Sequence, residues 1–429
     1  MKSFALALFA GVAAFASSLS TVAAADHPYT LPTEFPAGEA IESATTASRL
    51  ASIESVATIE SVDQQIERCS RYNFAAKKDG VYLNGFPFFI KGANFFGMET
   101  EIFVPHGLWG GNDSTTIDKV ATFLSANNFN TVRIPLVVDA VLRNLEVNRY
   151  VIINEVELQT AFDGKTLYYF DVLDYVIKVF AKHKILVLLD AHVLVAGGGI
   201  TPLWYDQPDR VNWFEDAWKI LAGRYKNTWN VLGADLKNEP HGEATWGSGD
   251  NTTDWRLAAL KIGTEVLKIS PRWLVFVEGM ELSSRDDPEF PCFWGENLMD
   301  VQRAPLKLPV PERLVYSPHV YGPNVYGQAY FKNETFPDNM PAIWDLHFGF
   351  VKNYGPVVMG EWGGKFRDAD DIAWQRAFVK YLVKKKLSWM YWCINPNSGD
   401  TEGLLENDWS TPRYDKLELL APFKGSRVP

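Results

Sequence analysis

The sequence predicts a (β/α)8 barrel, and three observations carry that expectation. Short apolar, β-branched runs alternate with amphipathic stretches about eight times between residues 88 and 395. Polar or charged residues stand at the C-terminal end of most of these runs, on the face where parallel-strand enzymes gather their side chains. The third observation excludes an alternative. A doubly wound open sheet usually carries a glycine-rich phosphate turn after its first strand, and Gly92–Ala93–Asn94 is not one.

The elements follow in order. The segment 81–88 has Asn84–Gly85 between alternating apolar residues, which predicts a small hairpin with a type I′ turn. Strands are expected over 88–96, 131–137, 185–192, 231–239, 274–279, 314–321, 357–363 and 388–395. Between them, helical periodicity marks 116–127, 171–183, 211–225, 253–268, 342–353 and 371–385. Gly197–Gly198–Gly199 follows the third strand without the Lys-Ser/Thr of a phosphate-binding loop, and reads as a flexible rim of the cleft.

Residues 1–25 read as a secretory signal peptide. Lys2 precedes an apolar stretch over 4–16, and small residues lead to a cleavage point before Asp26. That stretch is too short to anchor in a bilayer, and no later run is long enough to span one. Residues 26–71 form a low-complexity leader or linker, rich in Ser, Thr, Ala and Glu, with Ile-Glu-Ser at Ile41, Ile53 and Ile59. Residues 72–429 form the folded domain, long enough for one large core.

The net charge of −11 excludes nucleic acid and anionic membrane surfaces, both of which require basic patches. Fifteen Trp, 17 Tyr and 27 Phe supply many apolar faces of the kind that pack against sugar rings. Three cysteines make no disulfide framework. Cys393, inside the last expected strand, reads as a free core thiol; whether Cys69 and Cys292 pair stays open. No Cys/His grouping has ligand spacing, so neither a metal nor a cofactor is expected. Sequons at Asn112, Asn251 and Asn333 are glycosylation acceptors in a eukaryotic host.

Two of the strand ends carry the chemistry. The run at 234–240 stops at Asn238–Glu239–Pro240, and the run at 357–364 stops at Glu361–Trp362–Gly363–Gly364. Two glutamates at the mouth of a barrel fit the paired-carboxylate machinery of glycoside hydrolysis. Around them the strand ends contribute Arg133, Asp190, His192, Glu278, His319, Tyr321 and Trp392. Any one of these has a ready structural explanation; their collection on one face does not.

With these residues assembled, the chain resembles glycoside hydrolase family 5, and within it the secreted endo-β-1,4-glucanases (cellulases). Further matching segments are Phe96–Gly97–Met98–Glu99–Thr100, His106–Gly107–Leu108–Trp109, Asn297–Leu298–Met299 and Asn395–Pro396–Asn397. The resemblance implies that 72–429 is a catalytic barrel acting on a β-glucan polysaccharide or oligosaccharide, as a monomer, outside the cell. It implies Glu239 as general acid/base and Glu361 as nucleophile. Arg133 and Tyr321 would orient Glu361, His319 would sit beside Glu239, Asn238 would hold the sugar 2-OH, His192 would contact the sugar, and Trp392 would floor its subsite. Other substrates of the family are β-mannan, xyloglucan and mixed-linkage or β-1,3-glucan, and a non-catalytic carbohydrate-binding barrel is the alternative outside enzymes.

Three departures from the family pattern stand out. Phe95 and Cys393–Ile394 occupy positions where tryptophans are common, and Cys292–Phe293–Trp294 keeps one Trp where two are usual. They imply weaker stacking in the outer subsites.

Overall fold

The computed structural model describes residues 72–282 and 290–429. The signal peptide and leader expected over 1–71, and Cys69 with them, lie outside the described residues.

Strands β1 (Phe74–Lys77), β2 (Gly80–Leu83) and β3 (Phe86–Pro87) make a small antiparallel sheet. Asn84 and Gly85 join β2 to β3 with φ of 53° and 86°, the two left-handed residues that a type I′ turn requires. β1 extends the expected hairpin to three strands.

The main sheet has eight strands: β4 (Lys91–Asn94), β5 (Thr131–Val137), β6 (Leu186–Val193), β7 (Val231–Asp235), β8 (Leu274–Val277), β9 (Leu314–Tyr316), β10 (Val358–Met359) and β11 (Ser388–Tyr391). All neighbours pair in parallel, in the order β10-β11-β4-β5-β6-β7-β8-β9. Parallel bridges from Tyr316 to Val357 and from His319 to Glu361 join β9 to β10 and close the barrel. Helices such as Ile117–Ala126, Tyr169–Lys182, Trp213–Tyr225, Trp255–Ile269 and Ala369–Lys385 fill the connections. Thr116, Asp254 and Asp368 cap three of them by accepting backbone N–H groups of the first turn. The helix expected over 342–353 divides into Met340–His347 and a 3-10 turn, Gly349–Asn353. Gly349 has no room for a Cβ beside Tyr381 and Asp345, so close packing against the Ala369–Lys385 helix coincides with the break.

The strand period of two decides what faces the barrel interior. In β6, Val187 and Leu189 join the outer core beneath the helices, whereas Leu186 and Leu188 pack inward with Leu232, Leu274, Phe276, Val315, Val358 and Met390. Phe74, Ala76, Val81 and Leu83 of the small sheet belong to this inner cluster and cover its N-terminal end. Continuing the same inward positions toward the C-terminal face replaces apolar side chains with Asp190, Glu278 and His319. The lower barrel is thus dry packing, and the upper barrel is a polar layer set on it.

The strands end earlier than sequence periodicity indicates. β7 stops at Asp235, four residues before Glu239, and β9 stops at Tyr316. Residues beyond these ends remain buried although most are polar, and single backbone bonds such as Asn238 N–H to the Ala191 carbonyl continue past the regular ladder. Cys393 likewise lies two residues beyond β11; it is buried and unoxidised, and burial raises its thiol pKa.

Candidate active site

The upper layer is organised around Arg133. Its side chain is fully buried, and β5 points it into the barrel. Nε donates to Asp235 Oδ2 at 2.8 Å, and Nη1 donates to Glu361 Oε1 at 2.6 Å and to Asn94 Oδ1 at 3.1 Å. Nη2 donates to Asn238 Oδ1 at 3.0 Å and Glu278 Oε1 at 3.2 Å, and stands 3.1 Å from Asp190 Oδ2. A rigid guanidinium fork suits this many acceptors where a lysine would not.

Glu361 is held from both oxygens. Arg133 takes Oε1, and the Tyr321 hydroxyl donates to Oε2 at 2.6 Å. Glu239 is held differently. Its backbone adopts a left-handed φ of 51°, uncommon for a residue with a Cβ, and its N–H donates to Glu278 Oε2 at 2.6 Å. Its Oε1 lies 3.1 Å from His319 Nδ1. Ligand-capable atoms of Glu239, His319 and Glu361 all lie within 4.8 Å of one another, so the two glutamates each place an oxygen within that distance of the other.

The electrostatics follow from burial and from the charge count. Five buried carboxyls, Asp190, Asp235, Glu239, Glu278 and Glu361, face two buried cations, Arg133 and Lys237. They cannot all ionise without large cost. Burial pushes Glu239 well above the ordinary carboxylate range, and the Glu361 charge adds to the effect. Burial also raises Glu361, but Arg133 and the Tyr321 hydrogen bond oppose it. Burial raises Asp190 and Asp235 to about 7 and lowers Lys237 to about 8. It holds His319 well below the usual imidazole value and His192 at about 4, so both rings are neutral. Such a site can keep one carboxyl protonated beside one that is ionised.

The remaining expected residues converge on the same mouth. His192 Nδ1 lies 2.7 Å from Asp190 Oδ2, and its ring stacks on Trp392 with centroids 5.8 Å apart. Asn238 Oδ1 accepts from Arg133, while its buried Nδ2 has no partner among the described residues. The eight residues to which the resemblance gives roles therefore meet in one place: Arg133, His192, Asn238, Glu239, His319, Tyr321, Glu361 and Trp392.

Other members were not anticipated. Asn94 receives Arg133 and donates to the Gly360 and Tyr391 carbonyls, tying β4 to the Glu361 turn. Asp235 and Lys237 sit in the run that precedes Glu239; charged residues inside an otherwise apolar strand were the available signal. Two expectations about stacking are corrected. Phe95 is fully buried in the outer core, so its replacement of a tryptophan removes nothing from the cleft. The aromatic that faces Trp392 is Phe96, stacked at 5.7 Å. Cys393 and Ile394 are also fully buried. The single tryptophan of 292–294, Trp294, stacks on His241 at 3.7 Å and 6°.

A barrel whose mouth holds two close glutamates, one favoured in each protonation state, between aromatic faces has the build of a glycoside hydrolase. The sequence profile of the Cellulase family (glycosyl hydrolase family 5) matches residues 81–398, and the chain belongs to this family. It is 39% identical over 337 residues to an endoglucanase of Paenibacillus polymyxa, covering 77% of this chain and 81% of that protein. It is 41% identical over 341 residues to the major extracellular endoglucanase of Xanthomonas campestris pv. campestris, covering 79% of this chain and 68% of that protein. Among solved structures, an endocellulase variant from Pyrococcus horikoshii in complex with cellotetraose superposes with a TM-score of 0.74 at 35% identity, covering 82% of this chain and 98% of that one.

Proposed function

We propose that this glycoside hydrolase is a secreted, retaining endo-β-1,4-glucanase working by double displacement. The observation that carries the mechanism is the approach of Glu239 and Glu361, with oxygens within 4.8 Å. Retaining enzymes place their carboxyls roughly 5–5.5 Å apart, whereas inverting enzymes need about 6.5–9.5 Å to fit a water. Protonated Glu239 gives its proton to the departing glycosidic oxygen. Ionised Glu361, oriented by Arg133 and Tyr321, attacks carbon 1 and forms a glycosyl-enzyme. Glu239, now a base, takes a proton from the water that releases the sugar from the same face. His319 stays beside Glu239, Asn238 Nδ2 meets the 2-OH, His192 lines the sugar site and Trp392 forms its floor.

The relatives' names support a glucan as substrate, the cellotetraose complex of the Pyrococcus endocellulase supports the β-1,4 linkage, and the extracellular Xanthomonas relative supports secretion. No helix among the described residues is long and apolar enough to cross a membrane. Proton NMR early in a digest of a β-linked oligosaccharide is expected to show the β-anomer first. A 2-fluoro glycoside is expected to label Glu361. First-formed α-anomer would overturn the mechanism, and a label on Glu278 would overturn the assignment of the nucleophile. Rates on carboxymethylcellulose, glucomannan, xyloglucan, mixed-linkage glucan and β-1,3-glucan separate the substrates within the family; a faster rate on any but the first would replace β-1,4-glucan.

A further inference from the structure

Glu278 directly follows β8, and the steps above do not use it. It is fully buried, and three groups converge on it. Oε2 accepts the Glu239 N–H at 2.6 Å, and Oε1 accepts from Arg133 at 3.2 Å. His319 Nε2 stands 3.2 Å from the same Oε1, though off the line of a well-formed hydrogen bond. The neighbouring backbone leaves it no slack: a Cβ on Gly295, which has φ of 72°, would come within 2.6 Å of Glu278 Oε2 and 3.2 Å of Glu239 Cγ.

These contacts have two consequences. A left-handed backbone at a non-glycine residue persists only where its surroundings hold it. The short bond from the Glu239 N–H to a carboxylate is such a restraint, and charge makes it one of the stronger kind. The second consequence concerns the imidazole. A neutral histidine carries its proton on one nitrogen, and the partner of each nitrogen decides which. A carboxylate stands beside each nitrogen: Glu278 Oε1 at 3.2 Å from Nε2 and Glu361 Oε2 at 3.6 Å from Nδ1, and the nearer one favours the proton on Nε2. Nδ1 then presents a lone pair to Glu239 Oε1, 3.1 Å away, which can be met only by a protonated Glu239.

We propose that Glu278 is a positioning residue for the acid step: its carboxylate holds the turned backbone of Glu239 and keeps the His319 proton on Nε2, so that Nδ1 receives the hydrogen bond of protonated Glu239. This rests on the assignment of Glu239 as acid/base. Other charged groups facing the pair are Arg133, Asp190, Asp235, Lys237 and Glu361. Arg133 and Lys237 favour the ionised forms; burial and the three carboxylates disfavour them and push Glu278, like Glu239, well above the ordinary carboxylate range. Both Glu278 oxygens accept, one from the Glu239 N–H and one from Arg133, and that donor set fits an ionised carboxylate.

The test combines one variant with one measurement on the unaltered enzyme. Glu278→Gln keeps the shape and a carbonyl for the Glu239 N–H but removes the charge that selects the tautomer. It is expected to lose about 10- to 100-fold on a cellobioside with a poor leaving group, the size of effect that follows small misplacement of a reacting group. The loss on a dinitrophenyl cellobioside, whose departure needs no proton, is expected to be several-fold smaller. The basic limb of its kcat/KM profile is expected at lower pH, because removing a neighbouring anion and offering Nδ1–H both favour ionised Glu239. Long-range 15N NMR of the histidine-labelled unaltered enzyme reports the tautomer directly, whether or not the variant folds. Nε2–H on His319 with a shifted limb supports the proposal. Nδ1–H in the unaltered enzyme, equal losses on both substrates, or an unmoved limb overturns it. Azide rescue of Glu239→Ala checks the acid/base role separately: rescue with an unmoved limb in Glu278→Gln sinks this proposal alone, and no rescue sinks the reading beneath it.

Discussion

Arg133 Nη1 reaches Glu361 Oε1 at 2.6 Å, with both side chains shielded from water. The same guanidinium also contacts Asp190, Asp235 and Glu278, so it neutralises a layer rather than a single partner. Arg133→Ala removes the main opposition to the burial that raises Glu361. Glu361 must be ionised to attack, so activity exists above its pKa; raising that pKa moves the acidic limb of kcat/KM to higher pH. The variant is also expected to lose about 3–5 kcal/mol of stability, as when one partner of a buried ion pair is removed. Denaturant unfolding and a pH–rate profile check both. An unmoved limb in a folded variant would show that Glu361 does not depend on Arg133.

Glu239→Gln is expected to reduce hydrolysis of natural glucans by about 10²- to 10⁴-fold, the usual contribution of an acid–base group. Activated aryl cellobiosides should lose less in the first step, because their leaving group departs without a proton. Adding azide should restore turnover and yield a β-glycosyl azide. Parallel losses on both substrates with no azide product would remove Glu239 from the acid/base role.

Phe95 and Phe96 are adjacent but belong to different parts of the molecule. Phe95→Ala empties a fully buried core position and is expected to cost about 3–5 kcal/mol, with KM for oligosaccharides nearly unchanged. Phe96→Ala is expected to change stability by less and to raise KM for longer oligosaccharides, because it removes the ring stacked on Trp392. Unfolding curves and steady-state kinetics on both variants decide the matter. The reverse pattern would put Phe95 at the cleft.

Deleting residues 26–68 is expected to leave a folded barrel, active on soluble substrate. Their composition offers too little apolar surface to join a core. Aggregation of the shortened chain, or loss of its activity, would show that this stretch packs against the domain.

Sequence alone determined the class of fold and the identity of the two close glutamates. Strand–helix alternation is a local signal, because each buried strand and each amphipathic helix writes its own period into the chain. Polar residues that end apolar runs, such as Glu361, are likewise visible without contacts. What the tertiary structure decided is which face a residue takes and what it meets. Asn94, Asp235 and Glu278 stand at the ends of three different strands, and only the barrel brings them to one guanidinium. Phe95 and Phe96 differ by a single step in the chain, yet one faces core and the other the cleft. The expected strands run past the observed ends because burial and single backbone bonds continue after the regular ladder stops at Asp235, so burial does not mark where the ladder ends. The protonation of Glu239 is the furthest from sequence of all. It depends on desolvation and on Glu361, 122 positions away in the chain and within 4.8 Å in space.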